Sequence, residues 1–130
     1  MRLLSREEFK LLVFNRDKNQ CVVCKKVAVD AHHLIERKLF LDGGYYLDNG
    51  VSLCEEHHLE AEKTTISCGD LRKMAKITLV ILPKDFNPNL NYDKWGNIII
   101  SEFKRLPGPL FHKENVQKVL KLAKLLHIFQ

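Results

Sequence analysis

The pattern of apolar and polar residues predicts a helix at each end of the chain. Ser5 stands three residues before Glu8 in a capping-box arrangement, and apolar residues then recur at helical spacing until a polar stretch over 15–19 ends the helix. At the other end, residues 113–129 place apolar residues on one helical face and lysines on the other. The apolar face of this closing helix contains Val116, Val119, Leu120, Ala123 and Leu126.

Shorter segments between these two helices predict strands and further helices. Apolar alternation over 27–34 and over 51–53 predicts two antiparallel strands, which a turn-rich loop separates. Residues 55–63 predict a helix, because two glutamates occupy its first turn, where the helix dipole favours anions. The remaining predictions are a helix capped by Ser67 and ending at Met74, a buried strand over 77–82, a loop over 83–97 and a strand over 98–103.

Length and composition limit the class of protein. A chain of 130 residues predicts a single α+β domain over 1–130, which is long enough to bury a core. Hydrophobic residues make up 45% and charged residues 28%, which is typical of a folded chain and not of a disordered one. No apolar run approaches the roughly 18 residues of a membrane helix, and no secretory signal precedes the first helix. We therefore expect a cytoplasmic protein without membrane contact.

Positive charge is concentrated in the second half of the chain. The formal net charge is +5, from 21 Lys and Arg against 16 Asp and Glu. Residues 1–68 hold 10 basic and 11 acidic residues, a net charge of −1, whereas residues 69–130 hold 11 and 5, a net charge of +6. Such a balance favours an anionic partner, and nucleic acid is the first candidate. We expect DNA as the partner, with RNA left open.

Two pairs of residues have the spacing of zinc ligands. Cys21 and Cys24 form one pair, and Cys54 and His57 form the other, each with two intervening residues. Three thiolates and one imidazole complete a tetrahedral site, and coordination by protein ligands alone predicts a structural zinc ion. The alternative is four unrelated residues with cysteines buried as small apolar side chains. Cys68 has no partner in this scheme, and we expect a buried, inert thiol.

A second set of polar residues predicts hydrolytic chemistry. His58 and Glu62 lie four residues apart on one helical face, so that both can bind one cation. A cation held by histidine and carboxylate leaves positions for water and phosphate, and a second histidine can accept a proton from the attacking water. Each residue alone is weak evidence, because surface histidines and i, i+4 pairs are common.

The order of these residues resembles the HNH endonucleases, also called ββα-metal nucleases. The resemblance rests on three segments within about 18–66: Cys21-Val-Val-Cys24, Asp30-Ala-His-His-Leu-Ile-Glu-Arg37 and Leu47-Asp-Asn-Gly-Val-Ser-Leu-Cys54-Glu-Glu-His-His58. It implies a ββα-metal core, in which a two-stranded antiparallel hairpin and a helix hold one divalent ion. The first helix and a basic α/β extension over 69–130 would flank this core. The implied function is metal-dependent hydrolysis of DNA phosphodiester bonds, as a nick or a double-strand cut.

The resemblance also implies a role for each residue of the motif. His33 would be the general base, His32 a metal ligand, Asn49 the residue that fixes the loop and the orientation of the base, and His58 a metal ligand or phosphate contact. Glu62 stands where many members carry another histidine, and as a carboxylate ligand it would favour Mg²⁺ or Mn²⁺. The structural zinc positions of the family match Cys21, Cys24, Cys54 and His57, although the last is often a cysteine.

The sequence leaves open the geometry of the two strand histidines and the choice between competing functions, and it offers only candidates for the nucleic-acid contacts. Successive residues of a strand point to opposite faces, so His32 and His33 reach one site only at a bulge or at the strand end. The nucleic-acid contacts are assigned to five basic residues: Arg37, Lys38, Arg72, Lys73 and Lys76. The competing hypotheses are a non-catalytic zinc-containing module that binds nucleic acid and a zinc adaptor for another protein, and both leave the histidines unexplained.

Overall fold

The computed structural model describes all 130 residues as an α+β arrangement with antiparallel strands. In chain order its elements are α1 (Arg6–Arg16), β1 (Asp30–His33), β2 (Gly50–Leu53), α2 (Glu55–Glu62), α3 (Cys68–Met74), β3 (Asn91–Tyr92), β4 (Ile98–Ser101), β5 (Lys104–Leu106) and α4 (Glu114–Leu122). Short 3₁₀ turns lie at Arg37–Leu39, Leu47–Asn49 and Leu126–Phe129. None of the helices has the length and apolar character needed to cross a membrane.

A hairpin and the helix that follows it form the centre of the N-terminal half. Strands β1 and β2 are antiparallel, with His32 opposite Val51 and His33 opposite Gly50. Helix α2 begins directly after β2, so its first turn is fixed to the end of that strand. The capping box of Ser5 and Glu8 is present at the start of α1. Phe9 of α1 is buried in a small apolar cluster beside the hairpin.

The C-terminal half contains a small sheet and the last helix. The strand order is β3-β4-β5, with antiparallel pairing and a bulge in β4. Val116 and Leu120 of α4 are buried against Trp95, which is only 5% exposed. The predicted loop over 83–97 contains the short strand β3, and the indole of Trp95 anchors the part after that strand in the core.

Hydrogen bonds fix this loop to the N-terminal half. The buried Asp93 carboxylate accepts bonds from the backbone N–H of Trp95, from the N–H and the side-chain amide of Asn97, and from Arg105. The indole Nε1 of Trp95 donates to the carbonyl of Glu62 at 2.8 Å. Buried carboxylates need such partners, because desolvation is costly for an unpaired charge. The loop therefore joins the last residue of α2 to the C-terminal half.

The prediction of a buried strand over 77–82 is wrong. Ile77 and Ile81 are buried, but Leu79 and Val80 are each 49% exposed, and no strand forms there. A strand requires a neighbour that pairs with its backbone, and the two sheets consist only of β1-β2 and β3-β4-β5. The segment is irregular chain that buries only the side chains of Ile77 and Ile81.

The predicted closing helix over 113–129 is too long. Helix α4 ends at Leu122, and Lys124 adopts a left-handed conformation with φ of 59°. The N–H of Lys124 bonds to the carbonyl of Lys121, and the N–H of Leu125 bonds to that of Leu120, which is the Schellman pattern. Glycine usually marks such an end, and its absence from 113–129 explains the overestimate.

The tight contact of α1 with the hairpin gives a test of this packing. A Cβ atom on Gly50 would lie 2.5 Å from Phe9 and 2.7 Å from Val13. We expect Gly50→Ala to lower the free energy of unfolding by about 1–3 kcal/mol, because the buried rings must move. Urea denaturation measures this change.

Gly69→Ala is the matched control. Its Cβ would lie 3.8 Å from the nearest atom, within helix α3. We expect this substitution to be neutral or to stabilise by up to about 1 kcal/mol, since alanine favours the helix. Equal losses of stability in both variants would contradict the packing described here.

Candidate metal centres

The four predicted zinc ligands lie together. Their ligand atoms, one from each residue, are all within 4.8 Å of one another. The Sγ atoms of Cys24 and Cys54 are 3.7 Å apart, and Nδ1 of His57 is 3.2 Å from Sγ of Cys54 and 3.7 Å from Sγ of Cys21. A tetrahedral zinc ion with Zn–S bonds of 2.3 Å places its sulfur ligands about 3.8 Å apart. The Cys₃His cluster can therefore hold a zinc ion.

Local structure favours the thiolate form of Cys21. Cys21 begins a tight turn, where its N–H bonds to the carbonyl of Lys26 and its own carbonyl accepts the N–H of Lys25. Burial opposes ionisation of Cys21, but N–H groups of Cys54, Cys24 and Val23 outweigh it and lower the pKa of its thiol. Such charge-assisted bonds suit a metal-bound sulfur.

Cys68 lies outside this cluster, as predicted. Its thiol is buried and contacts the carbonyl of Leu34 at 3.3 Å. Burial raises the pKa of this thiol to about 11, so the thiolate is unfavourable. The side chain behaves as a small core residue.

A second group of possible metal ligands faces the end of β1. The ligand atoms of Asp30, His32 and His58 lie within 4.8 Å of one another. His58 Nε2 is 3.2 Å from Asp30 Oδ2 and 3.0 Å from Glu62 Oε1. Glu62 thus contacts His58, as its i, i+4 position predicts, but it is not a member of the group of three. His58 connects the strand to helix α2.

Asp30 was not predicted as a metal ligand from the sequence. It stands two positions before His32 in β1, so both side chains point to the same face of the strand. That period of two was the available signal. The carboxylate completes a set of one oxygen and two nitrogen ligands.

His33 ends β1 and reaches the same cleft from the other side. Its ring stacks on Phe9, with ring centroids 4.5 Å apart, and contacts Tyr45 edge-on at 4.8 Å. Its Nε2 atom is buried without a hydrogen-bond partner. Both His32 and His33 line one open cleft of about 420 Å³, because the second histidine is the last residue of its strand. The strand-end alternative is therefore the one observed, without a bulge.

The surroundings of the three histidines give them different proton affinities. Burial, assisted by the charges of Lys94 and Arg37, lowers the pKa of His33 to about 4. Burial also lowers the pKa of His32, with Lys94 again contributing. The hydrogen bond to Glu62 raises the pKa of His58, and the charge of Asp30 adds to this effect. His33 is thus a neutral imidazole at pH 7, with a free lone pair or N–H at Nε2.

Asn49 is buried and holds the backbone near His33. Its side-chain oxygen accepts the N–H of Ile35 at 3.1 Å, and its amide donates to the carbonyls of Ile35 and Gly44 at 3.1 and 3.2 Å. The carbonyl of Asn49 accepts the N–H of Leu34, the residue after His33. The side chain does not line the cleft. It positions the loop and the strand end.

Lys94 reaches the cleft from the C-terminal half. Its Nζ donates to the carbonyl of His33 at 2.8 Å and lies 3.7 Å from a Glu36 carboxylate oxygen. The side chain is only 5% exposed and lies over the ring of Trp95. Nothing in the sequence links Lys94 to His33, because 61 residues separate them and only the fold joins them.

The basic residues predicted to contact nucleic acid divide into two groups. Arg37 lines the cleft, together with Arg6 and Lys10 of helix α1, which were not predicted. Four other predicted residues do not line it: Lys38, Arg72, Lys73 and Lys76.

Comparisons of the chain with protein-family models, with curated proteins and with solved structures gave no match. The assignment of a function therefore depends on the residues and geometry of the two clusters.

The Cys₃His cluster predicts one tightly bound zinc ion per chain. We expect Cys21→Ser to lose that zinc and to lower the melting temperature strongly, because zinc bound only by the folded state stabilises it. Zinc content by atomic absorption and melting by circular dichroism measure the two effects. Cys68→Ser is the control, since it keeps a donor for Leu34 and all four zinc ligands. A Cys21→Ser variant that melts like the wild type would refute a structural zinc site.

The surroundings of His33 and His58 shift the pKa values of the two imidazoles in opposite directions. In zinc-loaded protein without another divalent ion, we expect the imidazole signals of His33 to titrate near pH 4 and those of His58 above 6.5. The unfolded chain protonates His33 at about pH 6.5. The contribution of His33 to the free energy of unfolding should therefore fall as the pH drops from about 6.5 to about 4, and His33 should add no pH dependence above that range. NMR titration measures the midpoints, and urea denaturation of the wild type and His33→Ala at several pH values measures the contribution to stability. A His33 midpoint near 6.5 would contradict the burial described.

Proposed function

We propose that the chain is a metal-dependent endonuclease of the HNH type, which hydrolyses phosphodiester bonds in DNA. One observation carries the proposal: a neutral histidine with an unpartnered Nε2 lines the same cleft as a group of one carboxylate and two imidazoles. The antiparallel hairpin followed directly by helix α2 is the arrangement that a ββα-metal core requires. The Cys₃His cluster beside it supports the same proposal.

The donor set suits a divalent cation. Asp30 offers a hard oxygen ligand, and His32 and His58 offer nitrogen ligands, a mixture that favours Mn²⁺ over the all-oxygen preference of Mg²⁺. When bound there, the ion would polarise the scissile phosphate and neutralise charge on the leaving oxygen. His58 must give up its proton before it can bind a cation, and Asp30 and Glu62 hold that proton in acid solution.

His33 has the properties of a general base in this reaction. Its Nε2 can accept a proton from an attacking water, because burial keeps the ring neutral well below pH 7. Phe9 and Tyr45 fix the plane of the ring from two sides. Lys94 donates a hydrogen bond to the backbone carbonyl of His33, and the side chain of Asn49 bonds to the backbone of Ile35 and Gly44. These contacts restrict the ring to one orientation toward the cleft.

A zinc-containing module that only binds nucleic acid is the alternative, and a zinc adaptor for another protein is a third hypothesis. Both would account for the Cys₃His cluster. Neither gives a role to the group of Asp30, His32 and His58 or to the unpartnered nitrogen of His33. The nuclease hypothesis uses both features.

The test is cleavage of supercoiled plasmid by zinc-loaded protein with Mn²⁺ or Mg²⁺. We expect nicking that EDTA abolishes, and a loss of at least about 100-fold in rate for His33→Ala, because a general base contributes about that much or more. Agarose gels of the relaxed and linear forms give the rates.

His127→Ala is the matched control. This histidine is exposed and does not line the cleft, so its removal should leave the rate unchanged. The nuclease hypothesis fails if the zinc-loaded wild type cleaves under no divalent metal, or if His33→Ala cleaves at the wild-type rate.

A further inference from the structure

Three cations that line the cleft have no acidic partner. Arg6 and Lys10 lie one helical turn apart on α1, and Arg37 lies in the 3₁₀ turn after β1. All three residues are exposed, and none forms an ion pair. Arg37 makes only a long hydrogen bond, 3.4 Å, to the hydroxyl of Tyr45. We call these three residues the α1 rim.

Most carboxylates of the cleft are already engaged. Asp30 and Glu62 both contact His58, and Glu36 pairs with Lys94. Of the carboxylates that line the cleft, only Glu7 has no such partner. The α1 rim is therefore free to contact an anion that lies across the cleft, and each cation can reach it without breaking an ion pair.

The positive excess of the second half lies elsewhere. Lys118 and Lys121 are exposed on α4, and Lys113 is exposed at its N-cap. None of the three lines the cleft, and Lys94 is the one basic residue of 69–130 that does. Apart from Lys94, the basic residues of 69–130 thus lie outside the cleft that contains the candidate centre.

We propose that the α1 rim binds the phosphate backbone of duplex DNA on one side of the scissile phosphate. The proposal rests on the proposed nuclease function, because it places the phosphate chain over the cleft that holds His33. Arg6 and Lys10 are separated by about 6 Å along the helix axis, so both reach the same edge of the cleft. Contacts of this kind attract phosphates and carry no base information, so binding is independent of sequence.

The test compares two triple variants that remove the same charge. The rim variant is Arg6→Gln, Lys10→Gln, Arg37→Gln, and the control variant is Lys113→Gln, Lys118→Gln, Lys121→Gln. Zinc-loaded protein without Mg²⁺ or Mn²⁺ is titrated into a fluorescein-labelled duplex of mixed sequence, and anisotropy gives Kd between 50 and 200 mM salt. Zinc content and melting temperature verify that both variants are folded.

We expect the rim variant to bind at least about tenfold more weakly than the wild type and its salt dependence to fall by up to about three contacts, at a slope of about 0.9 per phosphate contact. The control variant should stay within about twofold in affinity. The proposal is overturned if the control variant loses as much affinity as the rim variant, if the rim variant binds like the wild type, or if the wild type does not bind the duplex.

Failure of this proposal can be told apart from failure of the nuclease hypothesis. Binding is measured without the catalytic cation, whereas cleavage is measured with it. A wild type that binds through the rim but cleaves under no metal supports the interface and refutes the nuclease. A wild type that cleaves while the rim variant binds and cleaves equally well supports the nuclease and refutes the interface.

Discussion

The Cys₃His cluster of Cys21, Cys24, Cys54 and His57 is the constraint on which the candidate site depends. A metal ion held there would tie a turn before β1 to the first turn of α2 and would therefore fix the rotation of that helix. Successive residues of a helix differ by about 100° around its axis. With His57 turned toward the cluster, His58 is turned toward Asp30 and His32 on β1. A structural cation would thus determine where the ligands of a second cation lie.

At the end of strand β1, two adjacent histidine side chains lie in different surroundings. His32 shares a face with Asp30 and belongs to the ligand group, whereas His33 turns toward Phe9 and Tyr45. Burial keeps both imidazoles neutral, which suits a metal ligand and a base equally. His58 differs because two carboxylates face its Nε2, so a metal ion bound there would have to displace the proton from the same atom.

The C-terminal half contributes to the site through one loop. Asp93 organises that loop, Trp95 bonds to the last residue of α2, and Lys94 bonds to the carbonyl of His33. The loop therefore touches both elements that hold the candidate ligands. Without Lys94, the partly buried carbonyl of His33 would lose this side-chain donor. The second half thus contacts the backbone of His33 directly, in addition to carrying the net positive charge of the chain.

Local patterns in the sequence determined the elements and the two ligand clusters in outline. The capping box at Ser5 and the two-residue spacing within each pair of zinc ligands depend only on near neighbours in the chain, so they could be predicted. The roles of His33, Asn49 and His58 rest on the resemblance to the HNH endonucleases and stay predictions. The end of the last helix and the strand over 77–82 were predicted wrongly. Helix α4 ends at a left-handed lysine where no glycine marks the end, and the apolar run over 77–82 finds no partner strand.

Tertiary structure alone decided which side chains meet. Lys94 reaches His33 across 61 residues, and Arg6 and Lys10 line the cleft because Phe9 packs α1 against the hairpin. Strand alternation places Asp30 on the same face as His32, but the contact of Asp30 with His58 depends on the rotation of α2. The physical reason is the same in each case. Spacing along the chain defines local geometry, whereas distances between segments arise from packing and from a cluster that joins them.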